Sequence, residues 1–237
     1  MSQKGASGSP MWIVESSGDS AVADPLLLIH ILAGGIALLA GIVAIFTLKG
    51  GSRHNRAGQT YVVTMAIVVV TAFPLSIWTD NWFLFAIAVF TGYLIAAGYR
   101  IVLRRRSGAS DPKMVDYVLH GTMLLTGIGM VAVGGAGAVL NVVELGSVLA
   151  VFGAIGATLS VRELRQFRVS LSERTSWIER HIAFMGGGYI ATVTATITVN
   201  LTMVPPIVRW LGPTFVGVPL IFYSISKYKP RFSKVVS

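Results

Sequence analysis

Residues 82–106 read WFLFAIAVFTGYLIAAGYRIVLRRR. No charged residue occurs from Trp82 to Tyr99, and the run then ends on Arg100, Arg104, Arg105 and Arg106. At about 1.5 Å of helix rise per residue, the apolar part is about as long as the ~30 Å hydrocarbon core of a bilayer is thick. The stretch therefore reads as a membrane-spanning helix that stops in a basic collar. Six further runs of the same kind lie near 25–48, 60–79, 115–140, 145–161, 181–203 and 207–226. The expected fold is all-α, an integral membrane bundle of seven transmembrane helices. Residues 1–24 form a flexible external tail, 25–228 the seven-helix transmembrane domain, and 229–237 a basic cytoplasmic tail. The fifth run is the shortest, and whether it spans fully is left open.

The basic residues give the expected direction. Lys49, Arg53 and Arg56 follow the first run, and Arg100, Arg104, Arg105, Arg106 and Lys113 the third. Arg162, Arg165, Arg168, Arg174 and Arg180 follow the fifth, and Lys227, Lys229, Arg231 and Lys234 the seventh. Only Lys4 and Arg209 fall on the other side. Short loops rich in Lys and Arg stay in the cytoplasm, so the N-terminus is expected outside and the C-terminus inside. Trp78 and Trp82 at one boundary, and Tyr61, Tyr99, Tyr117, Trp177, Tyr223 and Tyr228 at the other, match the aromatic belts of a bilayer.

Composition agrees. Hydrophobic residues make up 54% of the 237 residues and charged residues 12%, about half the charged share of a soluble domain. Mean hydropathy is +0.71. The net charge of +9 is confined to loops, where it meets anionic headgroups, so no nucleic-acid partner is expected. The bilayer is the expected partner, with a second copy or another membrane protein left open. No cysteine is present, which excludes disulfides, thiolate metal sites and covalent haem attachment. The polar start lacks the pattern of a cleaved signal peptide.

Ionisable residues in spans are costly and mark candidate sites. His120 and His181 are expected at similar depth near the cytoplasmic boundary, on the fourth and sixth spans, with His54 in the loop on that side. His120 and His181 could hold a b-type haem from both faces, and the three histidines could supply ligands to a metal ion. Proton or substrate handling and plain structural hydrogen bonding stay open beside these. Asp116, four residues before His120, could orient its imidazole, and Met185 and Tyr189 follow His181 by successive turns. On the outer side, His30 is expected to make an interhelical hydrogen bond, or to form a proton-accepting vestibule with Asp80 or Asn200. Arg209 would reach outer headgroups, pair with Asp80 or Glu144, or bind an anionic ligand. A small transporter would use these outer residues, and a structural or partner-binding subunit would need no site. No residue is assigned a catalytic role. The glycine-rich fourth run, with Gly121, Gly127, Gly129, Gly134, Gly135 and Gly137, reads as a packing face or as a bed for a flat cofactor. The alternate threonines Thr192, Thr194, Thr196 and Thr198 can return their hydroxyls to helix carbonyls. Residues 162–168 read as a helical extension of the fifth span.

Two segments carry a resemblance. One is Gly50-Gly51-Ser52-Arg53-His54-Asn55-Arg56-Ala57-Gly58-Gln59-Thr60-Tyr61. The other runs from His181-Ile182 through Met185-Gly186-Gly187-Gly188-Tyr189 to Asn200, followed by Trp210-Leu211-Gly212-Pro213-Thr214 and Gly217-Val218-Pro219. Together they resemble an uncharacterised family of predicted prokaryotic polytopic membrane proteins with a domain of unknown function, although Asn55 stands where that family often has Arg. The resemblance implies a multi-pass protein of a bacterial or archaeal cell membrane, and it supplies no substrate and no cofactor.

Overall fold

Each apolar run becomes one helix in the computed structural model, which describes residues 20–108, 111–140, 145–169 and 176–233. The order is α1 (Ser20–Phe46), α2 (Ser52–Trp78), α3 (Trp82–Arg106), α4 (Met114–Val139), α5 (Gly146–Gln166), α6 (Trp177–Asn200) and α7 (Pro206–Ser233). All seven are long and apolar enough to cross a membrane, the short α5 included. No strand occurs among the described residues. Of the expected tails, residues 1–19 and 234–237 lie outside the described residues, as do Glu144 and Arg174.

Several boundaries differ from the hydropathy pattern. α1 begins at Ser20 and takes Pro25 inside it, because a proline near a helix start removes only one N–H that would bond within the helix. α2 begins at Ser52, so His54 stands in its first turn and not in a loop. Hydropathy marks where charge begins, whereas helical hydrogen bonding continues past it. α5 continues through Glu163 to Gln166, which is the expected extension. Between α2 and α3 the chain turns at Asp80, with φ of +48°. Asn81 then caps α3 by accepting from the Leu84 amide at 3.0 Å.

Helices consecutive in the chain pack together except α5 and α6, and α3 at the centre touches α2, α4, α5 and α6. The C-terminal ends of α1, α3, α5 and α7 gather at one end of the bundle, here the basic end. The core holds Phe90, Tyr93, Leu94, Met123, Phe152 and Phe184 between α3, α4, α5 and α6. A second cluster of Ala37, Tyr61, Met65 and Ile95 joins α1, α2 and α3, with Met185 and Tyr189 of α6 packed on it. Outward faces carry exposed Leu28, Ile31, Leu39, Val70, Leu125 and Phe215, a surface suited to acyl chains.

The closest approach is between α4 and α5. A Cβ on Gly134 would stand 2.5 Å from the Gly146 carbonyl oxygen, and one on Gly153 would stand 2.6 Å from Met130 Cβ. Lipid chains are as apolar as the side chains they replace, so such helices hold each other by close packing. The glycine face of α4 at Gly127 and Gly134 is thus covered by α5, and the expectation of a flat cofactor there is corrected. Thr192, Thr194, Thr196 and Thr198 donate to the carbonyls of Gly188, Ile190, Thr192 and Ala195.

Gly134→Val is expected to lower stability by about 1–3 kcal/mol, the range for overpacking a tight contact. Gly129→Ala, at a glycine with nothing within 4 Å of the added carbon, is expected to be tolerated. Thermal unfolding in detergent compares the two.

Candidate functional site

One face of α3 carries Tyr93, Ala97, Arg100 and Arg104 at spacings of four, three and four, so a helix aligns them. Asp116 and His120 align on α4 in the same way, as do Ser160 and Glu163 on α5. Where these faces meet α6 near the basic end, a polar cluster forms inside the bundle. Asp116 is 2% exposed, His120 4% and Glu163 4%, a depth at which ionised groups survive only when paired.

Two arginines supply the pairs. Arg180 of α6 donates from Nε to both Glu163 oxygens, at 2.8 and 3.0 Å, and from Nη2 to Oε2. Arg100 of α3 grips Asp116 of α4 from Nε and Nη2, at 2.9 Å each. The Lys113 amide donates to Asp116 Oδ2 at 2.8 Å, which also satisfies a free N–H at the start of α4. The two forks tie α5 to α6 and α3 to α4. Arg104 lies with its guanidinium 5.4 Å from the Phe167 ring and acts electrostatically on both Asp116 and His120.

Between the forks lies the Tyr93–His120 pair. The Tyr93 hydroxyl stands 3.0 Å from His120 Nδ1. Phe167 and Phe184 pack on the imidazole, with centroids at 5.5 and 6.3 Å. Glu163 and Arg180 are both near enough to act on the Tyr93 hydroxyl. Ser160, wholly buried, lies beside that hydroxyl, yet its Oγ has no partner in hydrogen-bonding geometry.

The four histidines differ in how their Nδ1 proton is held. His181 Nδ1 lies 3.2 Å from the Gly98 carbonyl and His54 Nδ1 3.0 Å from the Ala44 carbonyl. A carbonyl only accepts, so both nitrogens must carry a proton. His30 Nδ1 lies 2.9 Å from Thr71 Oγ1, a hydroxyl that also reaches the Ile67 and Val68 carbonyls. In the His30–Thr71 and Tyr93–His120 contacts the partner is a hydroxyl, and either atom can be the donor.

The expected sites are rearranged by this geometry. Asp116 does not orient His120, because Arg100 and the Lys113 amide occupy both its oxygens; this corrects the second-shell assignment. His120 and His181 both lean on α3 but hold different partners, Tyr93 and the Gly98 carbonyl. Met185 packs its sulfur into the notch at Gly98, and Tyr189 lays its ring over Gly41 and donates to the Leu38 carbonyl at 3.4 Å. Both residues fill space between helices. Among the described residues no group of three His, Cys, Asp or Glu side chains is placed to hold a metal ion, so His54, His120 and His181 do not assemble as a ligand set. The residues expected on the outer side stay apart too. His30 makes the interhelical bond to Thr71, Asn200 donates to the Thr196 carbonyl at 2.8 Å, and Arg209 donates to the Thr198 carbonyl at 2.5 Å. Asp80 sits in its turn. At the basic end, Lys49 closes α1 by donating to the Ala44 and Ile45 carbonyls, and burial holds its ammonium pKa below the ordinary lysine value.

Sequence reasoning missed Tyr93, Arg100, Ser160, Glu163 and Arg180 as site residues. Arg100, Glu163 and Arg180 look like collar charges. Their one signal is that Glu163 lies three residues after Ser160, on the apolar side of an α5 whose arginines face outward. Comparisons of the chain with family models, with curated proteins and with solved structures find no match in any of the three.

Glu163→Gln leaves the largely buried Arg180 charge without its counter-ion and is expected to cost about 3–5 kcal/mol. Glu163→Leu combined with Arg180→Met removes both charges and is expected to cost less than Glu163→Gln alone. Denaturation of the purified proteins in one detergent gives the comparison.

Proposed function

We propose that the protein is a proton-coupled membrane carrier in which His120 gains and loses the proton and Tyr93 is its exchange partner. The observation that carries this reading is the Tyr93–His120 bond of 3.0 Å, buried within the spans. Unlike the His54 and His181 contacts, it does not commit the imidazole proton to an obligate acceptor, and unlike the His30–Thr71 contact it lies beside a buried ion pair. The neighbouring Glu163–Arg180 fork supports it, because a charge pair beside a titrating group biases where the proton rests. Proton relays in membrane carriers are built from such intramembrane His and acidic residues. This reading moves the working centre of a carrier from His30, Asp80 and Arg209 to the opposite end of the bundle.

We further propose that the N-terminus lies outside and the C-terminus in the cytoplasm, in the cell membrane of a bacterium or archaeon. The occurrence of seventeen of the nineteen Lys and Arg residues after the first, third, fifth and seventh apolar runs supports the direction. The resemblance to prokaryotic polytopic membrane proteins supports the compartment. The chain has no cysteine, so single-cysteine variants report the direction cleanly. Thr79→Cys is expected to react with an impermeant maleimide in intact cells, and Ser107→Cys only after permeabilisation. The reverse pattern would invert the topology.

In proteoliposomes loaded with a pH-sensitive dye, the native chain is expected to speed equilibration after an acid pulse. His120→Gln is expected to fall to the leak of empty vesicles, Tyr93→Phe to an intermediate rate, and His181→Gln to stay near the native rate. A native chain no faster than empty vesicles would end this reading. Haem held by His120 and His181 would instead give a Soret band lost in either His→Ala variant, and that result would replace it.

A further inference from the structure

We infer that Ser160 is a positioning residue for the Tyr93–His120 pair, its hydroxyl accepting the Tyr93 hydrogen when His120 carries an extra proton. This role rests on the proposed exchange at His120 and deepens it. The packing of α5 on α3 brings Ser160 and Tyr93 together. Phe90 of α3 stacks on Phe152 of α5, with ring centroids 5.4 Å apart. A Cβ on Gly156 of α5 would stand 3.2 Å from the same Phe90 ring. Tyr93 follows Phe90 by three residues and Ser160 follows Gly156 by four, so each returns to that contact one turn on. Both helices finish at the basic end, so the two turns advance together and set Ser160 beside the Tyr93 hydroxyl. There its own hydroxyl is idle. Ser160 is 0% exposed, and its Oγ has no hydrogen-bond partner. Buried Thr64, Thr192 and Thr194 return theirs to carbonyls one turn earlier. A buried hydroxyl left open costs free energy in one arrangement and recovers it in another that gives it a partner.

Protonation of His120 creates that second arrangement. In the tautomer with Nδ1 unprotonated, the Tyr93 hydroxyl donates to Nδ1 across the 3.0 Å contact. A proton taken up by the imidazole leaves an N–H on each nitrogen, so Nδ1 turns from acceptor to donor. Tyr93 then accepts from Nδ1 through its oxygen. It keeps its own hydrogen, which must point to another acceptor. No bond to that hydrogen breaks; only the hydroxyl turns. Glu163 of α5 and Arg180 of α6 also face this hydroxyl, but the Glu163 oxygens already take three contacts from Arg180. Arg104 of α3 and Asp116 of α4 act on the imidazole, and Asp116 is itself held by Arg100. The Ser160 Oγ is the acceptor that is still open. Ser160 thus favours the protonated form of His120 while touching only Tyr93.

The test uses the full chain in detergent with isotope-labelled histidine, followed by nuclear magnetic resonance. The ring signal lost in His120→Gln belongs to His120, and its movement with pH gives the midpoint of protonation. Ser160→Ala is expected to lower that midpoint by about one pH unit, roughly ten-fold in proton affinity. The shift is downward because the lost acceptor serves the protonated form. Ser160→Ala placed in Tyr93→Phe is expected to move the midpoint no further, since the effect passes through the Tyr93 hydroxyl. Thermal unfolding of Ser160→Ala is expected to match the native chain, because the hydroxyl has no partner to lose. An unmoved midpoint in Ser160→Ala, an equal shift in the Tyr93→Phe background, a destabilised Ser160→Ala, or a His120 signal that does not titrate would each overturn the role of Ser160. A lowered midpoint in a chain that speeds no proton exchange in proteoliposomes would end the carrier reading and keep this role. An unmoved midpoint in a chain that does exchange protons would do the reverse.

Discussion

A charge taken out of water must be answered where it stands, and the basic end of this bundle is organised by that requirement. Glu163 and Asp116 are almost wholly buried. Each is met by an arginine fork from a neighbouring helix, whose planar geometry matches a carboxylate in two places. Because the forks cross helix boundaries, they set the relative rotation of α3 with α4 and of α5 with α6. The Tyr93–His120 pair lies between them and inherits its position. Removing one member of a fork therefore disturbs more than a surface contact would.

Further along the bundle the organising force changes. Helix faces that meet there are apolar on both sides, and lipid offers them the same contacts, so close fit decides. Glycines supply it between α4 and α5 through Gly127, Gly134, Gly146 and Gly153. Elsewhere a glycine notch receives a large side chain: Gly41 takes Tyr189, Gly98 takes Met185 and Gly156 takes Met123. The residues that looked like successive turns below a cofactor in α6 are the knobs of this packing. Their regular spacing arises because a helix packed on two neighbours must offer a knob at every turn.

Protonation chemistry then depends on what each imidazole leans against. A helix carbonyl beside a glycine, as at Gly98, or in the last turn of a helix, as at Ala44, turns a histidine into a committed donor. A tyrosine hydroxyl leaves the proton shared. Four residues of one type, all in or beside apolar segments, thus acquire different roles from their neighbours alone.

Much of the fold was legible in the chain. Runs such as 82–106 determine the number of helices and their lengths, because a hydrocarbon-sized apolar stretch must satisfy its own backbone and only a helix does so within one segment. The interhelical bond of His30 and the threonine hydroxyl bonds of α6 were legible for the same local reason. The partners of charged and polar side chains were not. Asp116 is four residues from His120, yet it belongs to Arg100. Glu163 and Arg180 look like two more loop charges until α5 and α6 bring them together. The sequence by itself determined the class of the protein, its helices and where its charge collects, since these follow from the free energy of local stretches in lipid. Only the tertiary structure decided that Tyr93 holds His120 and that two arginines neutralise two acids, because rotation about each helix axis is set by packing against residues far away in the chain.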